Sequence, residues 1–157
     1  MLQRHFRSRS RLWLAAAIML GVAHGCSRPP DKWEKARLRT VPATGRIMLD
    51  GEAVSEATVI FWNDGMPTSP TALTARDGTF HLRTYVPKDG APVGIYAVSI
   101  DKTTETQPPP KDPEAPPPPL EITHHLPKRY RDAKTSGLSA EVTENGPNEF
   151  VFELSTK

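Results

Sequence analysis

Turn-forming residues cut the stretch from 43 to 154 into seven short runs, each carrying β-branched or aromatic side chains. The runs fall at about 43–49, 57–62, 71–75, 79–84, 94–101, 138–143 and 149–154, bounded by Gly, Pro, Asn and Asp. Strands of this length with such punctuation predict an all-β domain. In the last run Phe150, Phe152 and Leu154 share one face while Val151 and Glu153 take the other, the period-2 pattern of a half-buried strand. Leu138, Ala140 and Val142 alternate with Ser139, Glu141 and Thr143 in the same way, and Tyr96, Val98 and Ile100 define one face of the fifth run. Turn chemistry at 144–148 predicts a C-terminal hairpin between the last two runs, and Asp77-Gly78 predicts another between 71–75 and 79–84. Asp50-Gly51 after Ile47 and Leu49 is a third turn signal. The 17 prolines and 7% aromatic content leave little for helix, and a single cysteine allows no internal disulfide, so packing alone must hold the domain.

Between the fifth and sixth runs lies a proline-rich loop at 107–120, in which eight of the twelve residues from Pro108 to Pro119 are proline. Proline cannot donate to a sheet ladder, so this is no internal strand. It is expected to be extended, stiff and solvent-exposed polyproline II, a spacer or rigid loop.

Residues 1–25 read as an export signal. Arg4, Arg7, Arg9 and Arg11 form a positive region, followed by an apolar run from Leu12 to Ala23. That run is too short to cross a bilayer core of roughly 30 Å as a helix. Ala23-His24-Gly25-Cys26 then resembles the lipobox of bacterial lipoproteins, in which the cysteine receives a diacylglyceryl group and becomes the mature N-terminus. Cys26 is therefore the expected lipid attachment site, and acylation removes what would otherwise be an unpaired thiol in an oxidising compartment. The resemblance implies a lipid-anchored protein of the bacterial cell envelope. Ser27 is not the aspartate that retains many such proteins at the inner membrane, which favours the outer membrane.

Loss of residues 1–25 takes away four arginines and no acid, leaving 16 basic and 18 acidic side chains and a formal charge of about −2. The whole-chain pI of about 8.8 thus gives no ground for nucleic-acid binding. Residues 26–41, with Pro29, Pro30 and Trp33, are expected to form a tether, and 42–157 one domain.

Thr44 to Val54 and Ala57 to Phe61 are similar to the opening of carboxypeptidase regulatory-like, or transthyretin-like, domains. The likeness continues through Ala75-Arg76-Asp77-Gly78-Thr79-Phe80, through Gly90 to Tyr96, and through Pro127, Tyr130 and Ser136-Gly137-Leu138. It covers about residue 41 onward, with the proline-rich loop as a departure. It implies a seven-stranded antiparallel β-sandwich of transthyretin-like or immunoglobulin-like type, serving as an accessory or binding module, and it carries over no catalytic residue.

No metal centre and no cofactor are expected. Adjacent His124 and His125 on an extended segment point to opposite sides and lack a completing ligand cluster. His81 reads as an outer-face residue. Hydroxyisourate hydrolases share a related sandwich, but Tyr130-Arg131-Asp132 matches only two residues of their terminal Tyr-Arg-Gly-Ser, and no nucleophile, base and orienting partner can be paired. Tyr130 is expected to lay its ring over a sheet edge and bond nearby backbone through its hydroxyl. Trp62, beside Asn63-Asp64-Gly65, is the candidate ligand-binding residue, able to stack on a sugar or to cap the core. The expected function is a non-enzymatic, lipid-anchored envelope protein presenting a β-sandwich binding or scaffolding surface to an envelope protein or glycan. A carbohydrate-binding module is the alternative, with a small hydrolase behind it.

Overall fold

A computed structural model describes residues 32–110, 112 and 116–157. The signal segment 1–25, Cys26, the first part of the tether and the centre of the proline-rich loop lie outside the described residues. Residues 32–37 belong to a unit distinct from the rest of the described chain and carry one helical turn, Lys32–Lys35, whose Lys32 ammonium sits 5.0 Å above the Trp33 ring. No helix among the described residues is long and apolar enough to cross a membrane.

The β unit spans Leu38–Lys157. Its strands are β1 (Thr40–Val41), β2 (Thr44–Leu49), β3 (Glu52–Ala53), β4 (Thr58–Trp62), β5 (Thr71–Leu73), β6 (Thr79–His81), β7 (Ala91–Pro92), β8 (Gly94–Asp101), β9 (Thr103–Thr106), β10 (Glu121–His124), β11 (Leu138–Val142) and β12 (Glu149–Leu154). One sheet runs β11-β8-β4-β5 and is antiparallel throughout. The other is built on β2, with β12 along one edge and both β6 and β3 along the opposite edge. The fold is an all-β sandwich. All seven expected runs are strands, and five further short strands raise the count. The β1–β7 pairing also moves the start of the β unit to Leu38, four residues ahead of the expected boundary at 42.

Between the sheets lie the inward faces that alternation identifies. Ile47, Val59, Phe61, Leu82, Tyr96, Val98 and Ile100 are fully buried. Phe61 is central, its ring centroid 5.6 Å from Tyr96 and Phe150, 6.2 Å from Phe152 and 6.5 Å from Phe80. Offset and edge-on aromatic pairs of this kind add to the free energy of simple burial. Tyr96 brings a polar atom into this core, and its hydroxyl donates to Pro92 O at 2.7 Å; burial pushes that phenol up to about 12.

Two expected hairpins are corrected. β11 and β12 do not pair: β11 lies antiparallel to β8, and β12 crosses to the other sheet to lie parallel to β2. Asn148 holds this crossing. Its Oδ1 accepts the Thr143 N–H at 2.9 Å, its Nδ2 donates to Thr143 O and Pro42 O, and its own carbonyl accepts from Thr44 N–H. Alternation specifies which face of a strand meets the core, and a core can be met from either sheet. The Asp77-Gly78 turn forms as expected, with Gly78 at φ +78° and Ala75 N–H donating to Thr79 O at 2.7 Å. Its flanking strands then separate, β5 to β4 and β6 to β2, with an antiparallel bridge between Thr71 and Arg83 beyond the turn. At the third turn Asp50 (φ +49°) and Gly51 (φ +89°) adopt the positive angles of a two-residue hairpin loop, and β2 and β3 pair across it.

The loop after β6 is organised by Asp89, whose carboxylate accepts the backbone N–H groups of Thr84 (2.7 Å), Tyr85 (3.0 Å) and Val86 (3.2 Å). Partial burial would raise its pKa, but these three donors together outweigh that and hold it below the usual carboxylate value. A depressed folded-state pKa contributes stability that is present above the unfolded value of about 3.9 and is lost as pH falls through the folded value. Asp89→Asn is therefore expected to lower the urea midpoint at pH 7, and the gap from wild type should narrow on titration toward pH 3. A gap constant across that range would contradict this role for the carboxylate.

Candidate functional site

Trp62 ends β4 on the outer face of the four-stranded sheet, 43% exposed and outside the core. Its cross-strand partner on β8 is Ala97, which in turn faces Ser139 of β11. The row Trp62, Ala97, Ser139 thus crosses three strands, with the two small side chains following the indole along it. The indole N–H donates to Ser99 Oγ at 2.9 Å, and Ser99 is itself buried. That bond satisfies the polar edge of the ring inside the protein and sets its orientation.

Around the indole an open cleft of about 440 Å³ is lined by Trp62, Asp64, Ala97, Asp132, Ala133 and Lys134. Asp64 is placed by its neighbour Asn63, whose Nδ2 donates to Ile95 O at 2.9 Å and whose Oδ1 accepts the Gly65 N–H at 2.8 Å. Asp132 accepts the Lys134 N–H through Oδ1 at 2.8 Å, and its backbone carbonyl accepts from Thr135 and Ser136. The cleft therefore combines one aromatic face, two carboxylates and one ammonium on a fixed β surface. Trp62 and the Asn63-Asp64-Gly65 loop stand out in the sequence. Asp132 and Lys134 do not, since they come from a segment about 70 residues further on, carried there by the packing of the 3₁₀ turn Lys128–Arg131 against β8.

The other singled-out side chains are engaged elsewhere. Tyr130 is buried under Arg129, and its hydroxyl accepts the Ser155 N–H at 3.0 Å, the backbone bond expected of it. His124 Nδ1 lies 3.0 Å from Asp101 Oδ2, while His125 Nε2 hydrogen-bonds with Thr104 Oγ1 at 2.7 Å, so the two imidazoles reach different partners. Arg131 Nε approaches the same Asp101 carboxylate at 3.6 Å. Among the described residues no three His, Cys, Asp or Glu side chains gather as a metal site. His81 is on the outer side of β6, exposed.

The Asp101–His124 contact lies at the base of the ribbon that carries the proline-rich loop. β9 and β10 pair antiparallel from Thr106–Glu121 to Thr103–His124, forming a ribbon exposed along its whole length, with the loop at its tip. Gln107 Nε2 donates to Pro118 O across the base of that tip. Strand register gives the β unit two poles. Thr44, Trp62, Gly94 and Glu149 lie at one, and Leu49, Thr58, Asp101 and Leu154 at the other. The chain enters at the first, through β1 paired with β7 just ahead of Gly94. The ribbon leaves from the second, beyond Asp101, roughly 25 Å away by the rise of the eight-residue β8.

Compared with known proteins, the chain matches no family model, no curated protein and no solved structure.

Proposed function

We propose that this protein is a non-enzymatic, lipid-anchored component of the bacterial envelope that presents its β-sandwich as a binding surface. The observation that carries this reading is the bipolar layout of the β unit. A lipid on Cys26 would tie the protein to a bilayer through the segment that enters the β unit at the first pole, while the ribbon leaves the β unit from the second. Four paired residues per strand extend the ribbon by roughly 14 Å before the tip begins. An exposed arm leaving a tethered body is an arrangement for reaching a partner. Two or three acyl chains on Cys26 would make release negligible, since each buried methylene contributes about 0.8 kcal/mol.

Cys26→Ser in the full chain is the test. Wild type is expected in the membrane fraction and to resist high salt, whereas the variant should move to the soluble fraction or remain as unprocessed precursor. A Cys26→Ser protein that stays membrane-bound and correctly processed would defeat the anchor.

The carbohydrate-binding reading is favoured by a separate observation, the exposed Trp62 lining one cleft together with Asp64 and Asp132.

A further inference from the structure

We propose that the Trp62 cleft is a subsite for a neutral pyranose residue of an envelope polysaccharide; this rests on the displayed-surface reading and names what that surface takes. The indole supplies a flat apolar face for the axial C–H groups of a sugar ring. Because its N–H is committed to Ser99, the face and not the polar edge is what the ring offers. Its cross-strand neighbour is the small Ala97, which lines the cleft with it and leaves the space beside the indole to a ligand rather than to a large side chain of β8. An occupant of this kind buries one apolar face and turns hydroxyl groups to the rim.

The rim matches that pattern. Ionised carboxylates only accept hydrogen bonds, and two adjacent sugar hydroxyls can both donate to one carboxylate. Asp132 Oδ1 is taken by Lys134 N–H, and Oδ2 has no hydrogen-bond partner among the described residues. Asp64 has none for either oxygen among the described residues and stands on a loop pinned by Asn63. The Lys134 ammonium, a donor only, suits a ring oxygen or a further hydroxyl. Two carboxylates against one ammonium give the cleft a net negative charge, which disfavours uronic acid and phosphate-bearing sugars. The indole is held by its bond to Ser99 and the backbone of the rim by local loop bonds, so the ordering that opposes binding is confined to the rim side chains. One stacked residue in an open cleft implies modest affinity, with Kd on the order of 0.1–1 mM.

The test titrates detergent-extracted full-length protein with cellohexaose and chitohexaose, and with hexagalacturonate as the acidic counterpart. At least one neutral hexamer should bind in the stated range and the acidic one should not. Trp62→Ala should weaken binding by about tenfold or more and Asp132→Asn by several-fold, while Trp62→Phe, which keeps an aromatic face, should stay within about threefold of wild type. Absence of neutral-sugar binding up to ~5 mM would overturn the proposal. So would unchanged binding by Trp62→Ala, or equal loss in Trp62→Ala and Trp62→Phe, which would mark a structural effect. Intact mass on the same preparation separates the two readings. Acylated protein that binds no neutral sugar refutes the cleft alone, and unacylated protein that binds it refutes the anchor alone.

Discussion

Phe61→Ala is expected to cost the β unit about 3–5 kcal/mol, the range for removing a fully buried phenyl ring from a packed core. Phe61 has no exposed surface and stands between the two sheets, touching rings from β6, β8 and both aromatic positions of β12. Its removal deletes four ring pairs at once. The hole cannot close by a small shift, since the walls belong to two separate hydrogen-bonded sheets. Native domains are stable by only about 5–15 kcal/mol, so this variant should sit near the edge of folding. Equilibrium urea unfolding checks it, with Val151→Ala as the control, because Val151 lies on the outer face of β12 and is 65% exposed. The control should stay within about 0.5 kcal/mol of wild type. A loss below about 1.5 kcal/mol for Phe61→Ala would show that the two sheets do not meet on this ring.

Gly90→Ala should be damaging for a different reason. Gly90 has φ +84°, and a Cβ there would lie 1.8 Å from the Val41 carbonyl oxygen and 2.8 Å from Pro42 Cα. Backbone that close cannot give way as a flexible side chain can. The cheapest relief is to push β1 off β7, giving up the Thr40–Pro92 and Val41–Ala91 pairings and exposing three buried residues, Val41, Ala91 and Pro92. The expected loss is about 3 kcal/mol, combining the cost of left-handed backbone with that of broken packing. It should be local as well, with amide exchange accelerated at Val41 and Ala91 and little changed in β8. Gly51→Ala is the matched control: its φ is +89°, but a Cβ there meets nothing within 4 Å. It should show only the backbone term, about 1–2 kcal/mol. Equal losses at the two glycines would contradict the close approach of Val41 to Gly90.

The sequence carries the faces and the turns but not the partners. Alternation in Tyr96, Val98 and Ile100, and in Phe152 and Leu154, names the buried sides correctly because burial is a property of each strand on its own. β12 crosses to β2 instead of pairing with β11, and the Asn148 side chain bonds that crossing to Thr143 and to Pro42, 106 residues away. No local pattern reports that. β9 and β10 carry no buried face at all, so Thr103–Thr106 and Glu121–His124 have no period to detect, and only their pairing with each other makes them strands. β1, β3 and β7 are two residues each, shorter than any periodic signal. At the cleft, Trp62 is conspicuous because a large aromatic stands next to a turn. Its partners Asp132 and Lys134 are ordinary surface residues until the chain after β10 folds back against β8.

The proposed role rests on a chain held at one pole and reaching from the other, and its first requirement is the lipid. Intact mass spectrometry of protein extracted from bacterial membranes tests this most directly. The expected mass is that of residues 26–157 plus the acyl additions of a lipidated cysteine. An unmodified chain, or a mature start downstream of Cys26, would contradict it.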